Sequence, residues 1–269
     1  MVADADRVAE FRRLHASGCF VMPNPWDAGS ARALAAMGFA ALATTSSGFA
    51  WTTGRPDNTI GIDDTLAHLT LIASAVDLPV NADFQNGFAA EPETVAANVG
   101  LAVQTGVSGL SIEDFSGDPA EPLFEFGLAV ERIRAARAAI DDSGTGVLLT
   151  ARSEGFVWGR PDLEETIRRL VAYAEAGADC VYAPFITSLD HVSAIVGAVA
   201  PTPVNLLIHT PFTTVAEAAG VGVRRISVGG SLAKTAWRGF LDAARELADL
   251  GTVSRFVDLP DLNGLLDHS

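Results

Sequence analysis

The feature that most constrains this chain is a recurring pattern of short apolar runs that end in polar residues, with helix-like stretches between them. Four of the runs close as Val80-Asn81-Ala82-Asp83, Leu110-Ser111-Ile112-Glu113-Asp114, Leu149-Thr150-Ala151-Arg152-Ser153-Glu154 and Val204-Asn205-Leu206-Leu207-Ile208-His209. Near-continuous apolar strands that alternate with amphipathic helices imply a parallel sheet covered by helices. The unit recurs eight times: strands are expected at 20–24, 40–46, 79–84, 107–113, 146–152, 179–184, 203–208 and 225–229. Helices are expected near 28–37, 63–76, 92–105, 128–140, 163–176, 189–199, 213–219 and 232–249.

Eight such units in 269 residues predict an α/β fold, a (β/α)8 TIM barrel formed as one domain over 1–269. An open doubly wound sheet is the weaker reading, because no Gly-x-Gly-x-x-Gly follows the first strand. Helix starts are marked by Asp27, Asp63-Asp64, Pro92, Pro161-Asp162 and Ser188, and helix ends by Gly38, Gly106 and Gly177. Three connections are long, 48–62, 115–127 and 153–162, and the three phenylalanines of 115–127 read as a lid over a pocket. The tail 251–269 ends in an apolar stretch through Leu266, which predicts packing at a subunit interface.

A net charge of −15 repels phosphate backbones and anionic membranes, which argues against nucleic acid and membrane partners. No apolar run reaches the roughly 20 residues that span a bilayer, and the first ten residues are polar, so a cytoplasmic protein without a processed leader is expected. Cys19 and Cys180 lie far apart and read as buried free thiols.

Side chains alternate along a strand, so Asn81 with Asp83, Thr150 with Arg152 and Glu154, and Asn205 with Leu207 and His209 share faces. Barrel active sites form at the carboxyl ends of strands. Asp57, Asp83, Glu113 and Asp114 crowded at one mouth would raise one another's pKa unless a hard cation, Mg²⁺ or Mn²⁺, sat among them. The alternative is that Asp57 caps a turn and Glu113 pairs with Arg152. The planar fork of Arg152 suits a substrate carboxylate, and equally an internal pair with Glu113 or Glu154.

Thr44 to Phe49 supplies hydroxyls and a glycine that lets backbone N–H groups approach a ligand, or else forms an ordinary turn. The glycines of Ser227-Val-Gly-Gly-Ser231 stand where many barrels hold phosphate. His209 faces either the pocket or a backbone partner in the core. His15, His68, His191 and His268 read as surface residues, and no Ser-His-Asp or Cys-His arrangement stands out.

Taken together and in order, Asn24-Pro-Trp-Asp-Ala-Gly-Ser-Ala-Arg32, Thr45-Ser-Ser-Gly-Phe-Ala50, Gly54-Arg-Pro-Asp57, Pro79-Val-Asn-Ala-Asp83, Ser111-Ile-Glu-Asp114, Thr150-Ala-Arg152 and Ile226-Ser-Val-Gly-Gly-Ser-Leu232 resemble the isocitrate lyase and phosphoenolpyruvate mutase superfamily over about residues 10–248. The resemblance implies a barrel whose eighth helix swaps between subunits of a homo-oligomer, a dimer or tetramer, and a Mg²⁺ site at the mouth, with Mn²⁺ as substitute. It implies cleavage or formation of C–C or P–C bonds beside a 2-oxo acid carboxylate through an enolate. Ser46, Ser47, Gly48, Phe49, Arg152, Asn205 and His209 would contact the small carboxylate substrate. Asp57, Asp83, Glu113 and Asn81 would hold the metal, and Arg152, Ser47, Asp57 and Glu113 would carry the chemistry.

Two departures stand out. The family's Asp-x-Asp after strand three is Asn81-Ala-Asp83 here, and residues 115–127 lack the Cys, Lys, Arg and His of the isocitrate and methylisocitrate lyase lid. The expectation is a Mg²⁺-assisted lyase on a small 2-oxo or 2-hydroxy dicarboxylate, with oxaloacetate decarboxylation foremost. P–C bond chemistry and non-catalytic 2-oxo acid binding are the alternatives.

Overall fold

The structure is a computed structural model and describes residues 3–267. Eight strands, β1 (Phe20–Met22), β2 (Leu42–Ala43), β3 (Val80–Asp83), β4 (Gly109–Glu113), β5 (Leu148–Arg152), β6 (Cys180–Tyr182), β7 (Val204–Leu207) and β8 (Arg225–Ser227), pair in parallel in the order β1-β8-β7-β6-β5-β4-β3-β2. The seam between β1 and β2 is drawn together by Ala43 N–H donating to Pro23 O at 3.0 Å. Asn24 reinforces it: its Nδ2 donates to Thr44 O at 3.0 Å, and its Oδ1 accepts from Val228 N and Gly229 N, both at 2.9 Å. One buried amide thus ties the ends of three strands, and the sheet forms the predicted (β/α)8 barrel.

The helices are α1 (Ala5–Ala16), α2 (Ala28–Ala36), α3 (Ser46–Thr52), α4 (Ile62–Ala75), α5 (Pro92–Ala102), α6 (Phe126–Ser143), α7 (Leu163–Glu175), α8 (Leu189–Val199), α9 (Val215–Gly220), α10 (Ser231–Leu250) and α11 (Leu262–Asp267). Asp27 forms a capping box with Ser30, Asp162 and Ser188 accept from the third residue of their helices, and Pro92 is the first residue of α5. Asp63 and Asp64 do not cap: Gly61 precedes α4, and the two acids sit in its first turn, where they face the positive helix end. Gly38, Gly106 and Gly177 take φ of 87°, 94° and 104°, as helix-terminating glycines do.

Among the described residues three helices, α1, α3 and the short α11, lie outside the sequence expectation. α1 is capped by Asp4 and buries Val8, Phe11 and His15, spaced along one face. It closes the amino end of the barrel: a Cβ on Gly109 would fall 2.6 Å from Phe11 Cε1 and 2.8 Å from Asn81 Oδ1, so only glycine lets β4 pass between them. α3 begins within the expected end of strand two, because Thr45 accepts from Gly48 N and turns the chain into a helix at once.

His15 and His68 are not surface residues. Both are buried, His15 under the barrel and His68 beneath a stacked Phe49 ring. His268 lies outside the described residues, as does the end of the tail. Cys180 is a buried free thiol, whereas Cys19, also free, is only half-buried.

α10 differs from the other long helices. Of its 20 residues only Ala233 is buried, while Trp237, Phe240, Leu241, Leu247 and Leu250 are exposed. The chain beyond it keeps Val253, Phe256, Val257 and Leu259 exposed before α11 returns to lie against α2. Among the described residues no helix is long and apolar enough to cross a membrane.

Candidate active site

At the carboxyl ends of the strands the barrel opens into a cavity of 380 Å³. Its centre is Arg152, the last residue of β5, whose partners come from three neighbouring segments. Nη1 reaches Asp83 Oδ1 at 2.7 Å, Nη2 reaches Glu113 Oε2 at 3.0 Å and Glu154 Oε1 at 2.9 Å, and Nε donates to Glu154 Oε1 at 3.0 Å. The register explains the convergence: Glu113 pairs with Arg152 and Arg152 with Tyr182 across adjacent strands, and the guanidinium lies 5.3 Å from the Tyr182 ring. Asp83 is held from its other side by Ser46 N–H at 2.9 Å.

The charges do not cancel. Burial, only partly offset by Arg152, raises Glu113 well above the ordinary carboxylate range and pushes Glu154 up to about 7. Asp57 stands at the exposed rim of the same cavity, and partial desolvation followed by the charge of Asp83 raises it. Burial opposes the charge on Arg152, but the surrounding carboxylates outweigh it and raise its pKa. Asp114 belongs to a different cluster, where it accepts from Tyr173 Oη at 2.7 Å, Arg169 Nη1 at 3.2 Å and Glu154 N at 2.8 Å.

Of the residues singled out in the sequence, Ser46, Ser47, Asp57, Asn81, Asp83, Glu113, Arg152, Asn205 and His209 line this cavity. Gly48 and Phe49 do not. Gly48 is required by packing, since a Cβ there would meet Thr45 Cγ2 at 2.6 Å, and its N–H serves the helix cap at 3.3 Å. Phe49 faces the other way and stacks on His68 with ring centres 3.9 Å apart. The amide of Asn205 is engaged within the wall, accepting from Arg225 Nε at 2.8 Å and donating to Ser227 Oγ at 3.0 Å. His209 packs against Phe185, and its Nδ1 is buried with no hydrogen-bond partner.

The phenylalanines of 115–127 do not form the cavity wall. Phe115 stacks on Trp158 at 4.1 Å, Phe124 lies under Arg132 at 4.0 Å, and Phe126 begins α6 beneath Arg168 at 3.8 Å. A bridge between Phe115 and Leu123 folds the segment onto itself, so its effect on the cavity passes through Trp158, which does line it. The sequence reading also passed over Trp51, Tyr182 and Arg225 in the wall. Arg225 sits two residues before Ser227 on β8, a parity that was available, but an arginine inside a barrel runs against the apolar expectation for that position.

The cavity's donor set can be tested against a divalent cation. Four carboxylates line the cavity, three of them paired with one guanidinium, and Asn81 Oδ1 is a buried oxygen with no donor. Both fit a hard, oxygen-seeking ion held by Asp57, Asp83, Glu113 and Asn81. Among the described residues no three His, Cys, Asp or Glu side chains are already gathered as a metal cage, and Arg152 stands between the acids that would form one.

The same arrangement of strands and helices recurs in solved structures. A candidate lyase/mutase from Burkholderia cenocepacia superposes with a TM-score of 0.93 at 45% identity, covering 97% of this chain and 95% of that one. An uncharacterized protein of Mycobacterium tuberculosis is 32% identical over 95% of both chains. The oxaloacetate decarboxylase of Chromohalobacter salexigens is 27% identical over 90% of this chain and 85% of its own length. Other relatives bear the names 2-methylisocitrate lyase and phosphoenolpyruvate phosphomutase, so lyases and mutases share this frame. The phosphoenolpyruvate phosphomutase family model matches residues 11–248, a span that holds all eight strands and the whole Arg152 cluster, and the chain is a member of that family.

Proposed function

We propose that this chain is a carbon–carbon lyase of a small 2-oxo or 2-hydroxy dicarboxylate, with oxaloacetate decarboxylation the first case to test. The observation that carries the reading is the shared guanidinium: one half-buried Arg152 holds three carboxylates, two of them raised in pKa, at the mouth of a cavity sized for a small acid. Such a cluster can trade protons near neutrality. Glu154, pushed up to about 7, can hold a proton that passes through the cluster to the enolate carbon formed when CO₂ or a carbonyl fragment leaves. Ser46 and Ser47 at the start of α3 would orient the 2-oxo acid carboxylate, and Trp158 would limit water at the reacting bond.

A Mg²⁺ or Mn²⁺ ion bound by Asp57, Asp83, Glu113 and Asn81 would supply a Lewis acid for the 2-oxo oxygen. Asn81→Asp adds a charge to that donor set, and calorimetry is expected to show Mg²⁺ binding tightened by roughly tenfold or more. Unchanged affinity would remove Asn81 from the ligands. The reading as a whole is tested by incubating the purified protein and Mg²⁺ or Mn²⁺ with oxo and hydroxy diacids of about four to seven carbons. It fails if no pyruvate, glyoxylate or CO₂ is released. Ligand-induced thermal stabilisation without turnover would instead support a 2-oxo acid binding protein.

Lys234 beside Gly229-Gly230 gives the phosphonate alternative an observation of its own. Arg55 and Arg160 do not support it, since they pair with Asp64 and Glu121 away from the cavity. Phosphorus NMR with phosphonopyruvate distinguishes the two chemistries. The free thiols fit a reducing cytoplasm.

The apolar face of α10 supports helix exchange between subunits, with the tail packed at the same interface. Sedimentation is expected to give a dimer or tetramer, and Trp237→Asp with Phe240→Asp to shift it toward monomer. A wild-type protein that sediments as a monomer at micromolar concentration would dismiss the exchange.

A further inference from the structure

A second arginine lines the same cavity under opposite electrical conditions. Arg225 points inward from the start of β8 and is 2% exposed. Its partners are neutral: Nε donates to Asn205 Oδ1 at 2.8 Å, Nη2 to Thr150 Oγ1 at 3.1 Å, and Nη1 lies 3.2 Å from His15 Nε2. His15 cannot be a counter-ion. Its Nδ1 is 2.8 Å from Phe11 O, which only accepts, so Nδ1 carries the proton and Nε2 turns its lone pair to Arg225.

Cys180 and Tyr182, the ionisable groups that could offer Arg225 an anion, are both pushed toward their neutral forms by burial. Among the described residues no carboxylate pairs with Arg225. A guanidinium has five N–H groups, and these three contacts use three of them. The remaining two belong to a buried cation in a cavity wall.

An unpaired buried charge opposes folding, a cost that packing alone does not require the chain to bear. An entering anion meets at Arg152 a guanidinium already taken up by three carboxylates, and meets no such competition at Arg225. We propose that Arg225 is the receptor for a substrate carboxylate, seated deep in the cavity below the Arg152 cluster, and that it selects dicarboxylates over monocarboxylates. The proposal rests on the reading of the substrate as a small diacid and identifies the group that recognises its second charge.

The test is calorimetric binding of oxalate, which undergoes no turnover, with and without Mg²⁺, to the wild type and to Arg225→Gln and Arg225→Lys. Oxalate affinity is expected to fall roughly 10- to 100-fold in the Gln variant and by less in the Lys variant, the range for one charge-assisted hydrogen-bonding group. Affinity within about twofold of wild type in a folded Gln variant overturns the proposal. If that variant does not fold, the Lys variant decides: weakened binding supports the receptor, and unchanged binding removes it. Phosphate binding tighter than oxalate overturns the carboxylate assignment. Turnover of oxaloacetate is read separately. Oxalate binding through Arg225 without turnover leaves the receptor and sinks the lyase, whereas turnover with an unchanged KM in the Gln variant does the reverse.

Discussion

Arg152→Met is expected to lower the unfolding free energy by about 3–5 kcal/mol at about pH 8, because it leaves the buried Glu113 and Glu154 and the half-buried Asp83 without a cation. Glu113 and Glu154, already raised by burial, would then gain a proton more readily in the folded state, so their folded pKa values rise further. A raised folded pKa contributes stability at low pH that is lost as pH rises through it. The defect is therefore deepest in alkali and shrinks on acidification. Urea midpoints measured across that range check it, and a variant equally destabilised at both ends would show that the three acids do not depend on Arg152.

If a divalent cation binds the same acids, added Mg²⁺ is expected to stabilise the variant more than the wild type, since it replaces the missing charge. Turnover, where present, is expected to fall by about a thousandfold, comparable to removing a group that stabilises transition-state charge.

The second large effect is a pH dependence assigned to one side chain. Glu154 titrates near 7 in the fold against 4.5 for a free glutamate, chiefly through burial. Its neutral form is the one the fold favours, so the stability it contributes is complete below about pH 4.5 and is lost as pH rises through about 7. Glu154→Gln keeps the neutral shape and removes the titration. The variant is expected to gain on the wild type by on the order of 3 kcal/mol between about pH 5 and pH 8, read from denaturant midpoints. Parallel stability curves for the two proteins would mean that Glu154 stays ionised throughout. The activity profile should show the same group: a wild-type limb near pH 7 that the variant lacks.

What could be read in the chain was whatever depends on neighbours in sequence. Strand parity placed Asn81 with Asp83 and Thr150 with Arg152 on inward faces; Asn81, Asp83 and Arg152 do meet at one cavity, while Thr150 is fully buried against Arg225. Capping chemistry located Asp27, Pro92, Asp162 and Ser188 for the same reason, since a cap is satisfied within a few residues. α1 was legible too, in the spacing of Val8, Phe11 and His15, but its charged surface concealed it. α3 was not, because Thr44-Thr45 reads equally as strand or cap until the chain is seen to turn.

The sequence by itself determined a closed parallel barrel with acids, amides and one arginine at its strand ends, because periodicity and parity are local properties. Only the tertiary structure decided which charges are shared and which stand alone. Arg152 lies 69 residues from the Asp83 it grips, and their meeting depends on register across three strands. Arg225 is drawn into a neutral pocket by Thr150, 75 residues away, and by His15, 210 residues away. The energy of a buried charge is set by what surrounds it in space, and no local pattern records that neighbourhood.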